Sequence, residues 1–371
     1  MKMIRVIEAA FVLALAALPA VSCDKFRDTE NVTNTRARGT LTVQLSFPDG
    51  MKPSTRVDAY TDTEDSELTV SSISVLIYGY SETKQSYVLE NCLHPDSFGA
   101  PLTAQLLPGD KKVGVIVSED SASPAAGLAA YADFEAYRYD IRAFESSAAG
   151  YFQMAGEAAC TVTAGGKTTC GIAVSHICAR VTLAQVTNAT SSSITLKRAF
   201  LSNVARYYTA SDGDATPAAD FLNIQGRSDR NQSHIIDGST CQAAMKGWTY
   251  SDGIAQTLSA GGSATGRTFF YCYPNRSTAA PDGYTSTYGG ECTTLVVVAS
   301  VGGTDYYYPI VLDPDEMGQT CSVERNKAYT IALTITGPGS DDPNKPVTKS
   351  AASFTVSIAD WSAGPVYDQS I

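Results

Sequence analysis

In the segment Thr40-Leu41-Thr42-Val43-Gln44-Leu45-Ser46-Phe47 every second residue is apolar. That period of two places Leu41, Val43, Leu45 and Phe47 on one face of a β-strand and leaves the other face polar. Such a strand needs a core to cover one side. Pro48-Asp49-Gly50 ends it, and the polar stretch from Pro53 to Ser66 reads as a loose, accessible loop containing Arg56, a candidate protease site. Further β-branched or aromatic runs, punctuated by Gly, Pro, Asp and Ser, predict strands over 70–78, 111–118, 179–185, 193–196, 293–299, 306–312, 328–336 and 353–358. One stretch differs: Phe134, Tyr137, Ile141 and Phe144 recur near helical spacing and predict a short crossover helix within 131–144. No sequence repeat of roughly 20–50 residues is visible, which excludes propellers and solenoids. The expected architecture is mainly β, built of sandwich domains.

Length makes this more than one domain. The chain has 371 residues, 44% hydrophobic and 18% charged, enough for two or three domains at about 150 residues each. Its formal charge of −11, without clustered Lys and Arg, argues against a nucleic-acid partner. Residues 1–22 read as an export address, with Lys2 and Arg5 ahead of an apolar run over 9–21 that is shorter than the about 20 residues a membrane-spanning helix needs. The run closes on Leu18-Pro19-Ala20-Val21-Ser22-Cys23, which looks like a bacterial lipobox with Cys23 as the acylated residue. Ala20 stands where Leu is more usual, and an ordinary signal peptide followed by a chance cysteine is the alternative. No later stretch is suited to span a bilayer, so the membrane contact expected is a lipid anchor in the precursor only.

Eight further cysteines, an even number in an exported chain, favour disulfides. A hairpin turning at Ala164-Gly165-Gly166 would bring Cys160 and Cys170 opposite one another, which makes them the candidate pair. No C-x-x-C occurs, and no zinc site is expected. The three histidines, His94, His176 and His234, lie far apart and read as structural. Gly166-Lys167-Thr168 resembles the end of a phosphate loop, but Thr161 occupies the position of its first glycine. Ser81-Glu82-Thr83-Lys84 matches S-x-x-K without the companion motifs of serine acyl-enzymes. The acidic clusters lack the calcium-loop pattern. No reaction class, metal or cofactor is indicated.

The C-terminal segment carries the most specific signal. Val323-Glu324-Arg325-Asn326-Lys327-Ala328-Tyr329-Thr330-Ile331-Ala332-Leu333-Thr334-Ile335-Thr336-Gly337-Pro338-Gly339-Ser340, continued through Asp342-Pro343-Asn344 and Pro346-Val347 to Asp360-Trp361, closely resembles the closing region of fimbrillins, the type V pilin subunits of Bacteroidia. The lipobox, the alternating strand with Arg56 and residues 70–78 after it, and the segment from His176 to Gln185 fit the same family in the same order. Little aligns between about 187 and 320, and eight cysteines are more than is usual for a major stalk subunit.

The resemblance implies two transthyretin-like β-sandwich domains with a short helix in the first. It implies a signal peptide over 1–22, a propeptide over 23–56, an N-terminal domain over 57–175 and a C-terminal domain over 176–371. An Arg-specific surface protease would cut between Arg56 and Val57 and remove the strand carrying Leu41, Val43, Leu45 and Phe47. A donor strand from another copy, or from a related pilin subunit, would then fill the groove by β-strand addition. Phe354, Val356 and Ile358 alternate as a donor must. Full burial of the four removable side chains would be worth about 6–12 kcal/mol, at about 1.5–3 kcal/mol each. The implied route is an outer-membrane lipoprotein precursor that becomes part of a cell-surface fimbria, with a host receptor as a further partner and no enzymatic activity. The other reading of the same fold is a non-polymerising surface lipoprotein, an anchor or an adhesin for host protein or glycan, in which both segments are ordinary strands of their own domains.

Overall fold

The computed structural model describes residues 37–47, 52–53, 69–70, 72–95, 101–117, 127–141, 152–211, 250–251, 254–277, 293–312, 321–343, 347–348 and 350–361. They form a mainly β fold of paired sheets. Strands are numbered in chain order. The first pair sets a three-stranded sheet, β10 (Lys167–Ala173), β1 (Gly39–Ser46) and β6 (Leu102–Leu106), against a larger one. That larger sheet runs β11 (Ser175–His176), β9 (Met154–Val162), β7 (Gly109–Val117), β4 (Ile73–Ser81) and β5 (Ser86–Leu93). Between them lies a core built from every second residue: Leu41 and Val43 of β1, Val75 and Ile77 of β4, Val113 and Val115 of β7, and Ile172 of β10.

β4 is buried on both faces, because a second cluster covers its other side through Leu76 and Tyr78. Part of that cover is a helix, α1 (Tyr131–Glu135), whose Phe134 ring lies on the sheet over Gly114. A Cβ at residue 114 would sit 2.6 Å from that ring, so the close approach requires glycine. The helix is shorter than its sequence predicts. After the single turn the chain becomes β8 (Arg138–Asp140), which pairs antiparallel with β14 (Tyr207–Thr209). Tyr137, Tyr139 and Ile141 also alternate, and the partner strand selects that period over the helical one. Phe144 lies outside the described residues.

The second pair comprises β17 (Ser263–Cys272), β12 (Ala179–Asn188), β22 (Lys327–Ile335) and β23 (Ala352–Asp360) in one sheet. The other contains β15 (Tyr250–Ser251), β13 (Ile194–Ser202), β19 (Thr294–Val301) and β20 (Thr304–Val311), with β16 (Gln256–Leu258) also on β13. Val181, Leu183, Ile331, Leu333, Leu196, Phe200, Val296 and Val298 are among the side chains that fill it. Two further short pairings are β18 (Asn275–Ser277) with β21 (Cys321–Val323) and β2 (Lys52–Pro53) with β3 (Thr69–Val70).

The chain passes from the first pair to the second through β11 and directly into β12. The halves are tied by more than this crossing. β8 pairs with β14, and Arg325 Nη2 donates to the carbonyls of Ala155 and Ser175 at 3.0 and 3.3 Å. No helix among the described residues is long and apolar enough to cross a membrane.

Candidate functional site

β1 occupies the centre of its sheet. On one side it runs parallel to β10, from Thr40 opposite Lys167 to Ser46 opposite Ala173, and on the other it runs antiparallel to β6, from Gly39 opposite Leu106 to Val43 opposite Leu102. Both of its backbone edges are therefore hydrogen-bonded. Leu41 and Val43 are fully buried, whereas Leu45 and Phe47 are partly buried and pack at the margin of the core. Full burial thus covers two of the four alternating residues, and the about 1.5–3 kcal/mol per side chain applies to those two.

The entry to the strand is shaped by the β9–β10 turn. A Cβ at Gly39 would lie 2.3 Å from the carbonyl oxygen of Thr163, so only glycine fits there. The Thr40 amide donates to Gly166 O at 2.9 Å, and Gln105 Nε2 of β6 donates to Thr40 Oγ1 at 2.9 Å. Residues from both neighbours of β1 thus fix its register.

The second element is β23, an edge strand. It pairs with β22 along its whole length, from Ala352 opposite Ile335 to Asp360 opposite Lys327. Phe354, Val356 and Ile358 stand opposite Leu333, Ile331 and Tyr329, on the face that β22 turns to the core. Directly paired residues of an antiparallel ladder share a face. Yet Phe354 is 37% and Ile358 43% exposed, on the edge strand of the sheet. The strand is held at its ends instead. Ala352 is buried, Trp361 N donates to Asn326 O at 2.8 Å, and Lys327 Nζ lies 2.6 Å from Asp360 Oδ1. The Trp361 indole is fully buried and stacks on His176 with ring centroids 3.9 Å apart, against Phe152 and Tyr271 and under the Arg180 guanidinium.

The thiols of Cys160 and Cys170 are neighbours, hydrogen-bonded to one another and not joined. The turn at Ala164 and Gly165 forms, but the strands on either side part into different sheets because β1 takes the edge of β10. The hydrogen bond from Cys160 pulls the Cys170 thiol down to about 7 and raises that of Cys160, with burial adding to the rise. His94 is exposed, with Nε2 3.2 Å from Cys92 Sγ and Nδ1 3.1 Å from Ser74 Oγ. His176 is buried. Cys23, Arg56, Val57 and His234 lie outside the described residues. No cluster among the described residues could hold a metal ion.

Sequence reasoning passed over Trp361 and Arg325 as structural agents, although both fall within the C-terminal pattern. Their role depends on what they meet across the halves, and no local pattern encodes that.

No family model matches the chain. It is 36% identical over 64 residues to the major fimbrium subunit FimA type-2 of Porphyromonas gingivalis, a match spanning 15% of this chain and 17% of that relative's length. The fold superposes on the crystal structure of a fimbrilin from Porphyromonas gingivalis with a TM-score of 0.54 at 13% identity, covering 87% of this chain and 98% of that one. The fold is fimbrillin-like. A candidate cell adhesion protein of Bacteroides eggerthii matches the fimbrillin-like fold with the same TM-score of 0.54, at 18% identity over 88% of this chain and 97% of the other. These structural likenesses establish the fold, and the sequence match to a fimbrial subunit is confined to 64 residues.

Proposed function

We propose that this fimbrillin-like chain is a structural subunit of a cell-surface fimbria, exported as a precursor lipidated on Cys23. Cleavage between Arg56 and Val57 by an Arg-specific surface protease frees the propeptide over 23–56 and with it β1. The C-terminal strand of another copy, or of a related subunit, then enters the vacated slot with Phe354, Val356 and Ile358 inward. The precursor belongs to the outer membrane and the mature subunit to the fimbria, with a role that is structural and not catalytic. The domains implied are 57–175 and 176–371.

The observation that carries this reading is the central place of β1 between β6 and β10. A strand lost from a sheet edge leaves one free edge, whereas a strand lost from the middle leaves two facing edges and an apolar floor. Such a slot accepts a strand of period two and rejects water poorly when empty. The exposed apolar row of β23 supplies a strand of that kind.

One observation favours the non-polymerising reading, an anchor or adhesin: β23 is fully paired with β22 and clasped at Trp361, so it must be released before it can serve elsewhere. The experiment that separates the two treats purified residues 24–371 with an Arg-specific protease and determines the new N-terminus beside unboiled gels and electron microscopy. Val57 at the N-terminus with a ladder or filaments supports the fimbrial subunit. An intact chain, or one trimmed only at Arg36 or Arg38 that stays monomeric, supports the anchor or adhesin.

A further inference from the structure

Excision of β1 leaves β10 in an exposed position. Within the three-stranded sheet β10 is the outer strand, and among the described residues its backbone ladder is made with β1. Ser46 adds to that attachment, with its carbonyl accepting from Val174 N at 2.8 Å and its hydroxyl donating to Ile172 O at 3.3 Å. The propeptide removed in the proposed maturation therefore contains the strand that holds β10 flat. β10 nevertheless forms one wall of the slot, with Cys170 and Ile172 buried in the core beside Leu41 and Val43.

The strand behind it is firmly placed. β9 is laddered to β7 from Val162 opposite Gly109 to Met154 opposite Val117. Cys160 stands two residues from the end of β9 and Cys170 midway along β10, both packed into the core between the two sheets with their thiols in contact. No other side chain of β10 is so placed that one covalent bond would fix the strand to the opposite sheet.

We propose that Cys160 and Cys170 form a disulfide whose task is to keep β10 in position as a wall of the slot after β1 has left. The inference rests on the removal of β1 proposed above. The bond forms by exchange with an oxidised dithiol carrier. One thiolate of the pair attacks a sulfur of the carrier disulfide and one carrier thiolate leaves. The second cysteine thiolate then attacks that same protein sulfur and displaces the other carrier thiolate. The two thiol protons end on the carrier, which departs reduced by two electrons. The first thiolate is that of Cys170, which its hydrogen bond from Cys160 holds at about 7.

The test has two parts. Unreduced peptide mapping of exported, intact protein should recover a peptide linking residues 160 and 170; finding these cysteines free or paired elsewhere overturns the proposal. The full chain is then given a site for a sequence-specific protease in place of residues 58–63, cut there, stripped of its N-terminal fragment and titrated with a fluorescent peptide of residues 39–47. Reduction, or the double change Cys160→Ser and Cys170→Ser, should weaken peptide binding about tenfold, and the double variant should no longer respond to reductant. Equal binding by oxidised and reduced protein overturns the role assigned to the bond. Should the double variant fail to fold, the reduced wild-type chain supplies the comparison. Because the engineered cut opens the slot whatever happens at Arg56, resistance of Arg56 to cleavage counts against the fimbrial reading and leaves the disulfide result standing.

Discussion

A cut after Arg56 severs β1 from the remainder of the chain and leaves its contacts among the described residues in place. Leu41 and Val43 remain buried, and both ladders remain closed. At about 1.5–3 kcal/mol for each buried side chain, these two residues alone retain the fragment by about 3–6 kcal/mol, a factor of about 10²–10⁴ in its dissociation constant. The nicked protein should therefore carry its propeptide until a competing strand arrives. Replacing Leu41→Asp together with Val43→Asp removes that burial and places two carboxylates against an apolar core, so the cut fragment should be held at least about a hundredfold less tightly. Gln44→Asp, on the exposed face of the same strand, changes charge without entering the core and should leave retention within about twofold. Gel filtration of nicked protein at increasing dilution, with the 24–56 fragment quantified by mass spectrometry, measures the three cases. A wild-type fragment that leaves as readily as the doubly substituted one, or a Gln44→Asp fragment lost as readily as the doubly substituted one, refutes the slot as the source of retention.

Other expectations follow from the same geometry. Phe354→Asp with Ile358→Asp should abolish polymer ladders while shifting the urea stability of the monomer by less than about 1 kcal/mol, because both side chains are substantially exposed before assembly. Trp361→Ala should cost about 3–5 kcal/mol in urea unfolding and speed amide exchange at the C-terminal end of β23 first, since the indole is buried in the clasp with His176, Phe152 and Tyr271. Burial pushes Tyr308 up to about 12 and raises Tyr78, Tyr131 and Tyr273. Their unfolded forms ionise near 10.0, so the stability they contribute is complete below that pH and is lost as pH rises through the higher folded values. Urea midpoints should hold steady to about pH 9 and fall by about pH 11.

Strands with one-sided burial were legible in the chain by their alternation, and β4 and β19, buried at consecutive positions, by their β-branched and aromatic runs. β1 announced itself because Leu41 and Val43 alternate with polar residues, and β22 did so through Tyr329, Ile331, Leu333 and Ile335. β9 passed unpredicted: its sequence MAGEAACTV has little β-branched or aromatic character, and it is a strand because β7 pairs with it throughout. Residues 131–141 carried two periods at once, and the distant strand β14 decided between them. The apolar alternation of β23 was visible as well, but not its exposure, which comes with its place at the edge of the sheet. The central position of β1, with one parallel and one antiparallel neighbour, is a property of topology, and β10 and β6 lie far from it in sequence.

The central claim is that a C-terminal strand of one copy takes the place of β1 in another. A photo-crosslinking amino acid at Val356, in protein cut after Arg56 and allowed to assemble, tests it most directly. Irradiation should join Val356 to peptides of β6 or β10 from a second subunit, around Ala104 and Ile172. Crosslinks confined to β22 of the same chain, in material that has nevertheless assembled, would contradict the claim.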